Sequence, residues 1–115
     1  MTTKKLKCAQ ERILEIKREL VRLGEMRPGS LSKQYNVCGN PTCRCKDPKQ
    51  PKRHGPYYQV SYTHRGKSTT EFVRRGLEAA VKSELDNYRR FKKLTEEWVE
   101  LSLRIAKLRR KAVGR

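Results

Sequence analysis

Two apolar stripes, one near each end of the chain and each repeating by threes and fours, set the limits on what this sequence can become. The first runs Leu6, Ala9, Ile13, Ile16, Leu20 and Leu23; the second runs Phe91, Leu94, Trp98, Leu101, Ile105 and Leu108. Residues three and four apart share one face of a helix, so each stripe is a seam that must be buried. Gly24 and then Pro28-Gly29 end the first helix, placed at residues 4–24. The second begins near Gly76-Leu77 and covers residues 77–112. Glu78, Glu84 and Asp86 lie toward its positive end, and Arg104, Lys107, Arg109, Arg110 and Lys111 toward its negative end. At about 1.5 Å per residue the two helices are roughly 30 Å and 50 Å long, so they pair over only part of the longer one. The sequence predicts an antiparallel helical hairpin or coiled coil, with the surplus stripe covered by the intervening segment or by a second copy of the chain.

Between the helices, YYQVSYTHRGKSTTEFV over residues 57–73 is rich in β-branched and aromatic residues around a glycine-containing turn, the signature of a β-hairpin. Two registers compete. A two-residue turn at Arg65-Gly66 sets Phe72 opposite Gln59, whereas a three-residue loop, Arg65 to Lys67, sets Val60 opposite Phe72. The longer loop is preferred because it gathers Tyr58, Val60, Tyr62 and Phe72 on one inward face. Gln59, Ser61, Thr63, Arg65, Lys67 and Ser68 then line the outer face and the tip.

Residues 36–56 carry the chemistry. Cys38, Cys43 and Cys45 fall within eight residues of one another, in the run VCGNPTCRCKDPKQPKRHG. A structural zinc ion takes four nitrogen or sulfur ligands, and C-x4-C-x-C supplies three, with Gly39, Asn40 and Pro41 allowing the tight turn. Arg44, Lys46, Lys49, Lys52 and Arg53 favour the thiolate form that binds metal. His54 is the preferred fourth ligand. Cys8 competes for that place as the softer donor, but it lies off the apolar stripe of its helix. His64, near the hairpin tip, is expected to be solvated or to touch phosphate. Free buried thiols or a redox pair are the alternative to a Zn2+ knuckle.

The formal charge is +17, from 29 Lys and Arg against 12 Asp and Glu, and the middle of the chain is its most positive part. Pro28 to Gly76 holds ten bases and two acids. Such a field attracts phosphate backbones. No apolar run is long enough for a signal-peptide core or a membrane span, so a cytoplasmic location, with nucleoid association, is expected, and no membrane partner. Four cysteines in a reducing compartment favour metal over disulfides. With two histidines, no nucleophile elbow and no phosphate-binding Gly-rich loop, catalysis is not expected.

These readings combine into an α+β chain, a single domain of 115 residues, in which two long amphipathic helices flank a zinc knuckle and a β-hairpin. Its expected function is zinc-stabilised nucleic-acid binding, DNA ahead of RNA. Arg44, Lys46, Lys49, Lys52 and Arg53 on the knuckle and Arg65 and Lys67 on the hairpin tip would neutralise phosphates. Arg109, Arg110, Lys111 and Arg115 form a second basic patch. The alternatives are an RNA-binding component of a ribonucleoprotein and a helical protein-interaction adaptor; a homodimer or a larger nucleoprotein assembly is the expected context.

The order of a charged helix, GSL, CGNPTCRC, HGPYYQVSYTHRGKSTTEFV and NYRRFKKL in a long helix resembles a family of short bacterial and archaeal proteins known as a domain of unknown function, some of them near mobile elements. The resemblance covers nearly the whole chain. It implies that Cys38, Gly39, Cys43, Arg44, Cys45, His54, Gly55, Pro56, Tyr57, Gly66 and Lys67 are signature positions and that Cys8 lies outside them.

Overall fold

The computed structural model describes residues 2–36, 40–49 and 54–113, with the backbone alone for Thr2, Asn36, Cys45 and His54. The chain is α+β: helix α1 (Thr2–Arg22), strands β1 (Ser30–Asn36), β2 (His54–His64) and β3 (Lys67–Val73), and helix α2 (Glu78–Ala112), with a short 3-10 turn at Arg44–Lys46. It divides into two compact units. A helical unit comprises residues 1–26 and 86–115, and a sheet unit comprises residues 27–85.

In the helical unit the two stripes close on each other. Ala9 and Ile16 of α1 are buried with Leu94, Leu101 and Ile105 of α2, and Leu6, Ile13, Leu20, Leu23 and Trp98 pack around them. Full burial of a side chain such as Ile16 or Leu94 stabilises by about 1.5–3 kcal/mol. The polar flanks fix the direction of pairing. Arg12 Nε donates to Glu97 at 2.6 Å and Arg90 Nη2 to Glu19 at 2.7 Å, and Asn87 Nδ2 donates to the Glu25 carbonyl at 2.8 Å. Partners descend along α2 as they ascend from α1, so the helices are antiparallel. Phe91 departs from the expected seam: it is exposed and stacks on Tyr88, with ring centroids 6.3 Å apart.

The sheet unit holds a three-stranded antiparallel sheet in the order β1-β2-β3. β1 was not anticipated, because SLSKQYN offers only Leu31 and Tyr35 as apolar residues. Its place follows from the pairing of Leu31 with Val60. The first turns of α2 supply the other side of this core, where Val60, Val81 and Leu85 are buried and Leu31, Tyr62 and Val73 pack against them. The first turns of α2, which precede the Phe91–Leu108 stripe, are thereby covered within the chain. The Arg27 amide donates to the Glu84 carbonyl at 3.3 Å, tying the approach to β1 to the same helix turns.

The hairpin adopts the shorter of the two registers. His64 pairs with Lys67 and Gln59 with Phe72, so the turn is Arg65-Gly66 and the three-residue loop is excluded. Both turn residues have positive φ, 52° and 78°, the geometry of a two-residue turn whose twist matches that of the strands. Gathering apolar residues on one face was the wrong criterion. Tyr58, Val60 and Tyr62 do face inward, but their partner from the end of β3 is Val73, and Phe72 points outward, 73% exposed.

Near its start β2 carries one extra residue against β1, since Gln34 pairs with Tyr57 and Asn36 with His54. Gly55 stands in this bulge at φ 134°, where a Cβ would lie 2.8 Å from the Gln34 carbonyl oxygen. Pro56 falls beyond the last pair with β3, where β2 has β1 alone as neighbour and a missing N–H is tolerated.

Candidate metal centre and nucleic-acid interface

The cysteine segment begins its described part with a tight turn. Asn40 Oδ1 accepts from the Thr42 amide at 3.0 Å and from the Thr42 hydroxyl at 2.8 Å, and the Cys43 amide donates to the Asn40 carbonyl at 3.2 Å. This is what an Asn-Pro sequence does when the side chain replaces a backbone acceptor. Cys43 is half-buried and leads into the 3-10 turn, whose middle residue is Cys45. The segment then closes with Asp47 Oδ1 accepting from the Lys49 amide at 2.9 Å.

Of the four predicted ligands, Cys43 alone has a described side chain. Cys38 lies outside the described residues, as do Lys52, Arg53 and Arg115; of Cys45 and His54 only the backbone is described. Among the described residues no three His, Cys, Asp or Glu side chains converge as a metal site. Backbone placement still bears on the ligand set. The pairing of Asn36 with His54 closes the cysteine loop at its base, so His54 opposes the residue two before Cys38. Cys8 belongs to the helical unit and is exposed, where it lines a groove with Lys4, Lys5, Arg12 and Arg104.

Cationic side chains mark both ends of β2. Arg44, Lys46 and Lys49 are exposed on the loop joined to its His54 end, and Arg65 and Lys67 are exposed at its His64 end. With eleven residues in the strand, these ends are roughly 35 Å apart. Among the described residues no acidic side chain pairs with any of the five. The two acids between Pro28 and Gly76 are otherwise engaged, Asp47 with the Lys49 amide and Glu71 with the Tyr62 hydroxyl at 3.3 Å. His64 sits near the tip as expected, in a small hollow with Arg27, Pro28, Tyr62 and Glu71. Arg109, Arg110 and Lys111 are exposed on the last turn of α2, in the helical unit.

By contrast, the acid–base pair with displaced protonation is structural. The Arg12 guanidinium hydrogen bond holds the Glu97 carboxyl below the ordinary carboxylate range. It clasps the two helices.

The sequence reading placed Gln59, Ser61, Thr63 and Ser68 on the outer sheet face, where the structure has them, but missed Gln34, Tyr57, Thr70 and Phe72 beside them. Gln34 Nε2 donates to Gln59 Oε1 at 3.1 Å, Ser61 and Thr70 hydroxyls meet at 3.1 Å, and those of Thr63 and Ser68 at 2.9 Å. Tyr57 and Phe72 are exposed on the same face. Strict alternation in β1 and β3, read with a two-residue turn, was the signal that would have found it. Arg74 and Arg75, exposed just beyond β3, were also passed over.

The molecule is thus an α+β protein whose sheet unit presents paired basic ends. Residues 6–83 match the family described as a domain of unknown function (DUF6788), and the chain belongs to it. The matched segment spans most of α1, all three strands and the first turns of α2. No curated protein and no solved structure matches the chain. No helix among the described residues is long and apolar enough to cross a membrane.

Proposed function

We propose that this protein is a non-enzymatic, zinc-stabilised nucleic-acid-binding protein that contacts phosphates through the cysteine loop and the hairpin tip, with duplex DNA ahead of folded RNA. One observation carries the reading: Arg44, Lys46, Lys49, Arg65 and Lys67 are all exposed and, among the described residues, have no acidic partner. Unneutralised cations on the loop before β2 and at the tip after it suit a polyanion, and the strand that separates the two groups in sequence is itself roughly 35 Å long, close to one helical turn of duplex. The family resemblance of the CGNPTCRC and HGPYY signature adds a setting beside mobile DNA.

Zinc is supported by donor chemistry and by the size of the sheet unit's core. Three thiols and an imidazole within one closed loop fit a tetrahedral ion, and Cys38, Cys43, Cys45 and His54 would hold it. Among the described residues the core of that unit comprises Val60, Val81 and Leu85 as its buried side chains, little for a segment of this length without a staple. When bound, the ion would supply structure and no catalysis.

Metal analysis of purified protein should give about one zinc per chain, lost in Cys43→Ser. Binding measured across a salt series should fall by about three orders of magnitude between 50 and 200 mM for some six phosphate contacts. A metal-free protein that binds unchanged, or binding insensitive to salt, overturns the reading. An adaptor reading has one observation in its favour, namely that Val99 and Leu103 of α2 are 59% and 61% exposed beside Trp98. A salt-insensitive complex lost in Leu103→Ser, with a second copy or another protein, would replace nucleic acid by that surface.

A further inference from the structure

The outer face of the sheet is the least explained surface of the molecule. It carries no charged side chain at the positions paired across β2, yet basic residues flank it: Arg65 and Lys67 at the tip, Arg74 and Arg75 beyond β3. Its centre is polar and already ordered by cross-strand hydrogen bonds between Gln34 and Gln59, Ser61 and Thr70, and Thr63 and Ser68. Phe72, 73% exposed, pairs with Gln59, and Tyr57 lies two residues from Gln59 on β2. The two residues are therefore diagonal neighbours on the sheet, and such positions are roughly 7–8 Å apart, within reach of long side chains that share a site.

A solvated sheet face needs no exposed Phe near the end of its edge strand, and cations at both margins of the face favour a polyanion over a neutral protein surface. Flat rings with one open side, hydroxyls and amides around them, and cations at the margins match one chemistry. Rings stack on bases, hydroxyls and amides reach base edges, and Arg and Lys take the phosphates. A paired duplex hides its base faces, so the occupant must be unpaired.

We infer that the outer face of the three-stranded sheet binds unpaired nucleotides, with Phe72 and Tyr57 as the stacking platform and Arg65, Lys67, Arg74 and Arg75 holding the flanking phosphates. This rests on the nucleic-acid reading above and narrows it to a substrate with a single-stranded stretch beside any duplex that the basic ends grip.

The test compares the intact protein and its Phe72→Ala, Tyr57→Ala and Phe72→Trp variants by fluorescence anisotropy. Probes are a thymidine oligonucleotide, a uridine oligonucleotide and a DNA hairpin duplex of equal charge. Phe72→Ala should weaken single-strand binding about ten- to a hundred-fold, with the slope against salt unchanged. Tyr57→Ala should act in the same direction, Phe72→Trp should restore affinity, and duplex binding should hold. The thymidine and uridine arms decide between DNA and RNA as the source of the strand. Because both rings are exposed, the variants should melt as the parent does, and circular dichroism checks this. Unchanged single-strand affinity in Phe72→Ala, or equal losses on both probe types, overturns the inference. In that case salt-sensitive duplex binding would leave the broader reading standing, whereas failure of the parent to bind any probe removes both.

Discussion

The helical unit and the sheet unit solve the same problem of burial with unequal means. Residues 1–26 and 86–115 close two complementary stripes, with ten apolar side chains in or around the core and charged clasps along the flank. Residues 27–85 have a core of six such side chains among the described residues, three of them buried, beneath a sheet whose other face is open. The difference teaches where each unit's stability originates. Helix pairing suffices for one, while the other has a long cysteine-bearing loop where a staple would do most.

The largest effect that could break this contrast is metal withdrawal. Chelation, or Cys43→Ser, should raise hydrogen exchange across β1 and β2 while the amides around Ile16 and Leu94 stay protected. Equal loss of protection in both units would show that the staple is not local to the sheet.

Next come the two cores. Leu94→Ala should cost about 2–5 kcal/mol, read as a lower midpoint in chemical denaturation, since Leu94 is fully buried. Leu85→Ala should cost a similar amount, with exchange protection lost first in β2. If Leu85→Ala instead loosens the helical unit first, the contrast between the two cores fails.

A smaller effect is expected at the hairpin tip. Gly66 sits at φ 78° with nothing near the place a Cβ would take, so Gly66→Ala is a backbone penalty alone. It should cost about 1–2 kcal/mol by thermal melting. Arg65→Ala with Lys67→Ala should leave melting unchanged and reduce the salt slope of nucleic-acid binding by about two.

The smallest effect is a pH dependence confined to the helical unit. Glu97 has its carboxyl depressed by Arg12, so it contributes stability that is fully present above the ordinary carboxylate range. That contribution disappears as pH falls through the lower, folded value. Denaturation midpoints should therefore decline on acidification, and Glu97→Gln should flatten the decline. An unchanged profile would mean the exposed pair contributes nothing measurable.

Much of the architecture was legible because helices announce themselves through spacing. Leu6 to Leu23 and Leu94 to Ile105 fell on the buried faces, and α2 began and ended within one residue of the place that its glycine and its charges mark. Strands announce themselves less. β1 became a strand through the fit of Leu31 against Val60, a tertiary contact that no local pattern in SLSKQYN displays. The hairpin turn was misjudged because maximising apolar residues on one face overlooked that Phe72 could stand outside, and that positive φ at Arg65 and Gly66 is what strand twist demands. Of the proposed knuckle, Cys43 and the exposed Arg44, Lys46 and Lys49 are described, while Cys38, Lys52 and Arg53 lie outside the described residues. Its identity therefore rests on donor chemistry and on the Asn36–His54 pairing.

That two-residue turn carries an evolutionary corollary. Because side chains alternate strictly along β3, one amino acid gained or lost at the tip would exchange Phe72 for Val73 across the sheet, emptying the core and blunting the outer surface in a single event. Lengthening the stretch between Asn36 and His54 would leave the strand partners intact at little entropic cost. Among relatives, indels should accumulate between Cys45 and His54, where the spacing of the three thiols is untouched, and be purged from the hairpin.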